Sequence, residues 1–171
     1  LAWIEDGETY RRHCREMFAE FGGTTSPWHA QMISHGCCIH PGAFPDAEDV
    51  TRLAEFGVSE RPKDGWSRTV GGMVYYRAGK YRQAVEQLQM ALEPQAEYHK
   101  DGILRMLFLG MSHHQLGESD RARECFSFAT EAIAKSGAVN ASDWHDALHC
   151  WIAEREARTL ILGPAISVDA E

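Results

Sequence analysis

The apolar positions of this chain follow the spacing of helices rather than the alternation of half-buried strands. Intervals of four and three residues place apolar side chains on one stripe of a helix, as in Ala84, Leu88, Ala91 and in Ala122, Phe126, Ala129. The pattern predicts an all-α fold of about eight helices, near 6–21, 26–38, 46–59, 65–78, 80–93, 100–116, 119–135 and 143–162.

Residues that favour helix ends stand at these boundaries. Small polar residues precede the helices where an N-cap is needed, namely Asp6, Thr25 or Ser26, Asp46, Asp64 and Ser142. Pro27 occupies the first position of the second helix, where proline costs no hydrogen bond. The pairs Gly22–Gly23 and Gly163–Pro164 are expected to end the first and last helices.

Two stretches of the chain repeat each other at an offset of 38 residues, Gly72–Ala91 and Gly110–Ala129. Both contain a Gly, an aromatic residue or His, a second Gly, an Ala, a large apolar residue and an Ala. Such a period predicts an array of helix–turn–helix units. We expect the first Gly to let two helices approach closely and the second, Gly79 or Gly117, to adopt the left-handed conformation. The alternative is a pair of unrelated hairpins that share small residues.

This order of residues resembles the tetratricopeptide repeat (TPR), whose units are about 34 residues long. The resemblance covers repeats at 66–94 and 104–134 and a degenerate unit at 27–62. His113 stands where the family favours Tyr, and Pro94 precedes the usual position of the closing proline. The resemblance implies a single domain over 1–171 that forms a right-handed α–α superhelix, a TPR-like solenoid.

A broader resemblance is carried by Tyr10–Cys14, Phe21–Trp28, Pro41–Ala43, Tyr76–Tyr81, Phe108–Gly117 and Trp151–Glu156. These segments look like the C-terminal helical repeat region of large bacterial proteins that contain a serine/threonine kinase domain or WD40 repeats. The resemblance implies that the chain is part of a longer protein. The chain contains no Gly-rich phosphate loop, no His-Arg-Asp and no Asp-Phe-Gly of a kinase.

The last predicted helix, 143–162, has a stripe formed by Trp144, Leu148, Trp151 and Ile152. A helical array needs a terminal element that covers its open core and presents a polar outer face. We therefore predict that 143–162 is a capping helix. The alternative is an amphipathic helix that docks into a partner or a second copy of the chain.

Composition and charge narrow the possible partners. The 171 residues are 44% hydrophobic and 25% charged, which is typical of a soluble globular protein. A formal net charge of −8 disfavours nucleic acid and anionic membranes as partners, because both attract basic surfaces. The longest apolar stretches, near 103–111 and 159–166, are too short to span a membrane.

Five cysteines, at positions 14, 37, 38, 125 and 150, have no disulfide-framework spacing. Buried thiols in helices are usual in a reducing compartment, and no basic-then-apolar leader is visible, so we predict a cytoplasmic protein. The chain begins with Leu, which we interpret as a cut or processed N-terminus.

Metal binding and catalysis are not expected. Cys37, Cys38 and His40 lack a second pair of ligands at zinc-site spacing, and adjacent residues of a helix point about 100° apart. His145 and His149 lie on one helix face, but no Glu of a His-Glu-x-x-His motif accompanies them. No Gly-x-Ser-x-Gly turn is present. We therefore predict no cofactor, no metal and no enzyme.

The TPR resemblance places a binding groove on the first helices of the units. The groove positions that it implies are Thr69, Met73, Tyr76, Arg77, Leu107, Met111, His114 and Gln115, with His35 and Ile39 in the degenerate unit. A second interpretation is that Met73, Leu107 and Met111 pack against additional helices and are not accessible. The Lys and Asn pair that clamps a C-terminal carboxylate in some TPR proteins is absent, so chaperone-tail recognition is not expected.

These observations leave a non-catalytic interaction module or scaffold as the first hypothesis, with a protein or peptide partner on the concave face. The alternative is a structural domain that docks on its parent chain or forms a homodimer. An exposed apolar patch around Leu1, Trp3, Ile4 and Phe18 would favour that alternative. An enzyme that binds a metal or small molecule would require a stoichiometric metal.

Overall fold

The computed structural model describes residues 6–42, 46–91, 100–135 and 144–163. Within these ranges the chain forms eight helices and no strand, which confirms the all-α prediction. The helices are α1 Gly7–Phe21, α2 Pro27–Cys38, α3 Ala47–Glu60, α4 Gly65–Arg77, α5 Tyr81–Met90, α6 Lys100–Gln115, α7 Ser119–Lys135 and α8 Trp144–Leu162. None of the described helices combines the length and the apolar character that crossing a membrane requires.

The capping residues that the sequence predicts begin the first four helices. Asp6 accepts a hydrogen bond from the Thr9 N–H at 3.1 Å, and Ser26 accepts one from the His29 N–H at 3.4 Å. Asp46 and Asp64 cap α3 and α4 in the same way. Helix α5 ends three residues earlier than predicted, whereas Pro94 and Ser142 lie outside the described residues.

Three helical hairpins, α2–α3, α4–α5 and α6–α7, form the body of the fold. A Cβ atom on Gly72 would lie 2.4 Å from Leu88 Cγ, and one on Gly110 would lie 3.2 Å from Cys125 Cβ. The helices of both repeats therefore approach closely at the same position of the unit, as predicted. Gly79 and Gly117 have φ angles of 73° and 79°, which confirms the predicted left-handed helix ends.

Each hairpin packs against the next hairpin in the chain. The first helices lie side by side, with α4 between α2 and α6, and the second helices α3 and α5 contact the first helix of the following hairpin. We call the surface formed by α2, α4 and α6 the first-helix face. Helix α8 packs against α6 and α7, and its Ala153 and Ala157 belong to the main core cluster.

A buried ion pair holds α8 against the first-helix face. Both terminal nitrogens of Arg77 bind Glu156, with an Nη1–Oε1 distance of 2.5 Å and an Nη2–Oε2 distance of 2.6 Å. The Arg77 Nε also donates to the Cys38 carbonyl at 2.8 Å, so this side chain joins α4, α8 and the end of α2. Burial opposes the charge of Arg77, but the hydrogen bonds and charge of Glu156 raise its pKa above the ordinary value.

Replacing Gly72 by Ala should destabilise the fold, because the new methyl group would overlap Leu88 in a hairpin without free space. We expect a loss of about 1–3 kcal/mol in the free energy of unfolding, measured by urea denaturation followed by circular dichroism. Gly23→Ala is the control, since a Cβ there meets nothing within 4 Å. Equal stability of the two variants would contradict the close approach.

Glu156→Ala should destabilise the chain by about 3 kcal/mol, because it leaves the Arg77 guanidinium buried without its carboxylate. Glu154→Ala is the matched control on the same helix. Glu154 pairs with the exposed Arg158, an interaction worth less than about 1 kcal/mol. Glu156→Gln separates the effect of charge from that of volume. If the free energy of unfolding falls by a similar amount in Glu154→Ala and Glu156→Ala, the buried pair does not hold α8.

Candidate binding groove between α1, α2 and α8

The groove residues implied by the TPR resemblance lie mostly inside the protein. The side chains that are fully buried are Thr69, Met73, Leu107 and Met111. They belong to or adjoin the core that α8 shares with α6, so the structure places them as the second interpretation expects. An open groove lined by these side chains is therefore not found on the first-helix face.

The remaining residues of that set surround the contact between α4 and α8. Tyr76 is 8% exposed and packs edge-on against Phe108, with 5.5 Å between the ring centroids. Burial and the nearby Glu156 carboxylate raise the pKa of Tyr76, and Arg77 is occupied by that carboxylate. His114 is half-buried and Gln115 is exposed, so these two alone of the eight remain accessible.

Two cavities open instead along α1 and α2. The first, of about 620 Å³, lies between α1, α2 and α8 and is lined by Tyr10, His13, Cys14, Glu16, Met17, Glu20, Met32, His35, Gly36, Ile39, Leu148, His149 and Ile152. The second, of about 720 Å³, is lined by Met17, Glu20, Phe21, Gly23, Thr24, His29, Met32 and Ile33. Both have the size of ligand-binding clefts. Because they share three residues, we treat them as one surface, the α1–α2 groove.

Regular spacing in the sequence builds both walls of this groove. Tyr10, Cys14, Met17 and Phe21 follow intervals of four, three and four along α1. Trp28, Met32, His35 and Ile39 follow the same intervals along α2 and its last turn. Such intervals keep each set on one helix face. Three of these apolar side chains are largely exposed, with Phe21 at 52%, Trp28 at 54% and Met32 at 44%.

The two walls are joined by hydrogen bonds at Gly36 and by the packing of Met17 and Phe18 against the cluster that contains Ala30 and Ile33. The Gly36 carbonyl of α2 accepts hydrogen bonds from the Tyr10 hydroxyl and, at 3.8 Å, from the Cys14 thiol. Met17 packs over Gly36, where a Cβ would lie 3.2 Å from its Cε atom. The backbone of α1 approaches α2 and no other described helix. Among the described residues, the side chains of Phe21 on α1 and Met32 on α2 remain exposed beside this contact.

The polar groups of the groove give it an acidic rim. Glu16 pairs weakly with Arg12 and His13 at 3.9 and 3.4 Å, and all three side chains are exposed. Glu20 forms no ion pair with any described residue. No Lys or Arg lines either cavity among the described residues. The groove therefore combines an apolar floor with carboxylates that attract cationic groups.

A pair of histidines closes the end of the groove at α8. The rings of His35 and His149 meet edge to face with centroids 5.0 Å apart, and His35 contacts Trp66 in the same way at 4.8 Å. These ring contacts hold the side chains of both histidines in place. Within the described ranges, no three His, Cys, Asp or Glu side chains come together as ligands for a metal ion.

Part of this groove follows from the sequence and part of it does not. His35 and Ile39, which the TPR resemblance assigns to the degenerate unit, line the first cavity. The contribution of α1 is absent from the predicted set, although its apolar spacing is visible in the sequence. Of the apolar patch expected near the beginning of the chain, Leu1, Trp3 and Ile4 lie outside the described residues, and Phe18 is half-buried.

Compared with protein-family models, with curated proteins and with solved structures, the chain matches none of them. Its function is therefore argued from the geometry of the groove.

Proposed function

We propose that this chain is a non-catalytic protein-interaction module that binds a partner helix in the α1–α2 groove. The observation that carries the proposal is the open apolar face of α1 and α2. It contains two neighbouring cavities of about 620 and 720 Å³, lined in part by the exposed side chains of Phe21 and Met32. Contiguous exposed apolar surface of this kind marks interaction sites in soluble proteins.

The architecture that we propose for the module is a TPR-like solenoid. Its support is the packing of each hairpin against the next and the equivalent close approach at Gly72 and Gly110. In a solenoid each unit buries its core against its neighbours, so the terminal units carry the uncovered faces. Helix α8 packs against α6 and α7 and reaches Arg77 of α4, whereas α1 and α2, at the other end of the array, keep exposed apolar side chains.

The shape and charge of the groove favour an amphipathic helix with basic flanking residues. Helix α1 has 15 residues, and so the wall that it forms is about 22 Å long, which matches a partner helix of similar length. Helix-in-groove recognition uses apolar anchors at intervals of three and four residues. Glu16 and Glu20 on the rim, and the net charge of −8, complement Lys or Arg beside those anchors.

We also propose a parent protein and a compartment for the module, on the resemblance to the C-terminal helical repeat regions of large bacterial proteins. The module would belong to such a longer polypeptide and act as its scaffold in the cytoplasm. The described cysteines support a reducing compartment, because all five are thiols and all five are buried.

The competing function is self-association or docking on the parent chain through the same apolar face. Light scattering coupled to size exclusion over a tenfold dilution separates the two. A monomer at every concentration supports an open groove for a partner. A dimer that Met32→Glu dissociates would assign the face to a second copy of the chain.

Met32→Glu should weaken the binding of helical peptides selected from a displayed library of amphipathic sequences. A charge in the middle of the groove would be buried by any helix that occupies it, so we expect affinity to fall at least about tenfold. Fluorescence anisotropy with a selected peptide measures this loss. Met90→Glu is the matched control, because Met90 is 54% exposed and lies on α5 away from the groove. Equal affinities of the two variants would contradict the proposed site.

Glu20→Lys should slow the association of peptides that carry basic flanking residues, since it reverses the charge of the rim. We expect the association rate to fall severalfold at low salt and the difference to shrink in high salt. Stopped-flow fluorescence measures the rate. Glu60→Lys, at an exposed position on α3, controls for the change in net charge. Identical association rates for the two variants would show that the acidic rim does not contribute to peptide association.

A further inference from the structure

Two thiols from different helices meet at the floor of the α1–α2 groove. Cys14 of α1 lines the first cavity, and Cys37 of α2 is fully buried beside it. The two thiols belong to the same buried cluster, and Cys14 donates at 3.8 Å to the carbonyl of Gly36, the neighbour of Cys37 in the chain. The pair therefore lies at the contact between α1 and α2.

The two thiols differ in acidity and in access. The hydrogen bond from Cys37 lowers the pKa of Cys14, although burial opposes this shift and the Tyr10 hydroxyl adds to it. The same hydrogen bond and burial raise the pKa of Cys37. Because the thiolate is the nucleophile in thiol chemistry, Cys14 is the more reactive partner, and it is the one that faces the cavity.

We propose that Cys14 and Cys37 form a site of reversible oxidation, in which hydrogen peroxide converts the two thiols into a disulfide that joins α1 to α2. The Cys14 thiolate attacks one peroxide oxygen, the O–O bond breaks, and the leaving hydroxide takes up a proton to become water. The Cys37 thiol then attacks the sulfenic acid sulfur, and the S–S bond forms as a second water leaves. Two thiols lose two hydrogen atoms, and one peroxide is reduced to two waters.

The geometry selects this pair from the five cysteines. Cys38 follows Cys37 on the same helix and therefore points about 100° away from it. It is fully buried, and burial raises its pKa. Cys125 lies on α7, and burial raises its pKa to about 11. None of Cys38, Cys125 and Cys150 lines the described cavities at α1 and α2.

Differential alkylation and peptide mapping of the full chain test the proposal. The native protein is exposed to hydrogen peroxide together with a small reference peptide that carries one exposed thiol. We expect the mass of the chain to fall by two hydrogen atoms and the Cys14 and Cys37 peptides to be linked, and we expect dithiothreitol to reverse both changes. If both remain thiols after the reference thiol is oxidised, or if a different pair is linked, the proposal is overturned.

Two variants assign the roles within the pair. In Cys37→Ser the sulfenic acid at Cys14 cannot be resolved, so dimedone should trap it at that residue and no linked peptide should form. Cys38→Ser is the matched control next to it and should form the disulfide at the rate of the natural chain. Loss of the linked peptide in Cys38→Ser, or its persistence in Cys37→Ser, would refute the assigned pair.

Discussion

The buried pair of Arg77 and Glu156 determines which surface of this protein is accessible. It holds α8 across the first-helix face through two short hydrogen bonds, and the same guanidinium reaches the carbonyl at the end of α2. A buried arginine without its carboxylate would be strongly destabilising, so α8 and α4 stay together. The apolar side chains of α4 and α6 are consequently core residues.

Because the apolar side chains of α4 and α6 are covered, the accessible apolar surface lies along α1 and α2. These helices are joined at Gly36, which accepts hydrogen bonds from Tyr10 and Cys14. Met17 and Met32 line both cavities, and the carboxylates of the rim set the charge of the opening. The thiol pair lies at the join itself. Oxidation there would act on the spacing of the two walls on which the proposed partner depends.

Local rules account for most of the secondary structure. Asp6, Ser26, Asp46 and Asp64 cap the helices at which they were expected, because an N-cap depends on residues adjacent in the chain. The repeated glycines predicted the close hairpins for the same reason, since two helices joined by a short turn must face each other. The stripe expected on the last helix is only partly right. Ile152 is buried, but Trp151 is 42% exposed, and Cys150, Ala153, Ala157 and Ile161 are the residues of α8 in the main core cluster.

The sequence by itself determined the helices, their caps and the hairpins, which are set by interactions between residues close in the chain. Only the tertiary structure decided that most residues of the expected groove are buried. That outcome depends on Glu156 meeting Arg77 across 79 positions of the chain, and no local pattern encodes such a contact. The same long-range packing placed α8 beside α1 and α2 and so produced the candidate groove. Periodicity shows which face of a helix is apolar, but the neighbouring helices decide whether that face is covered.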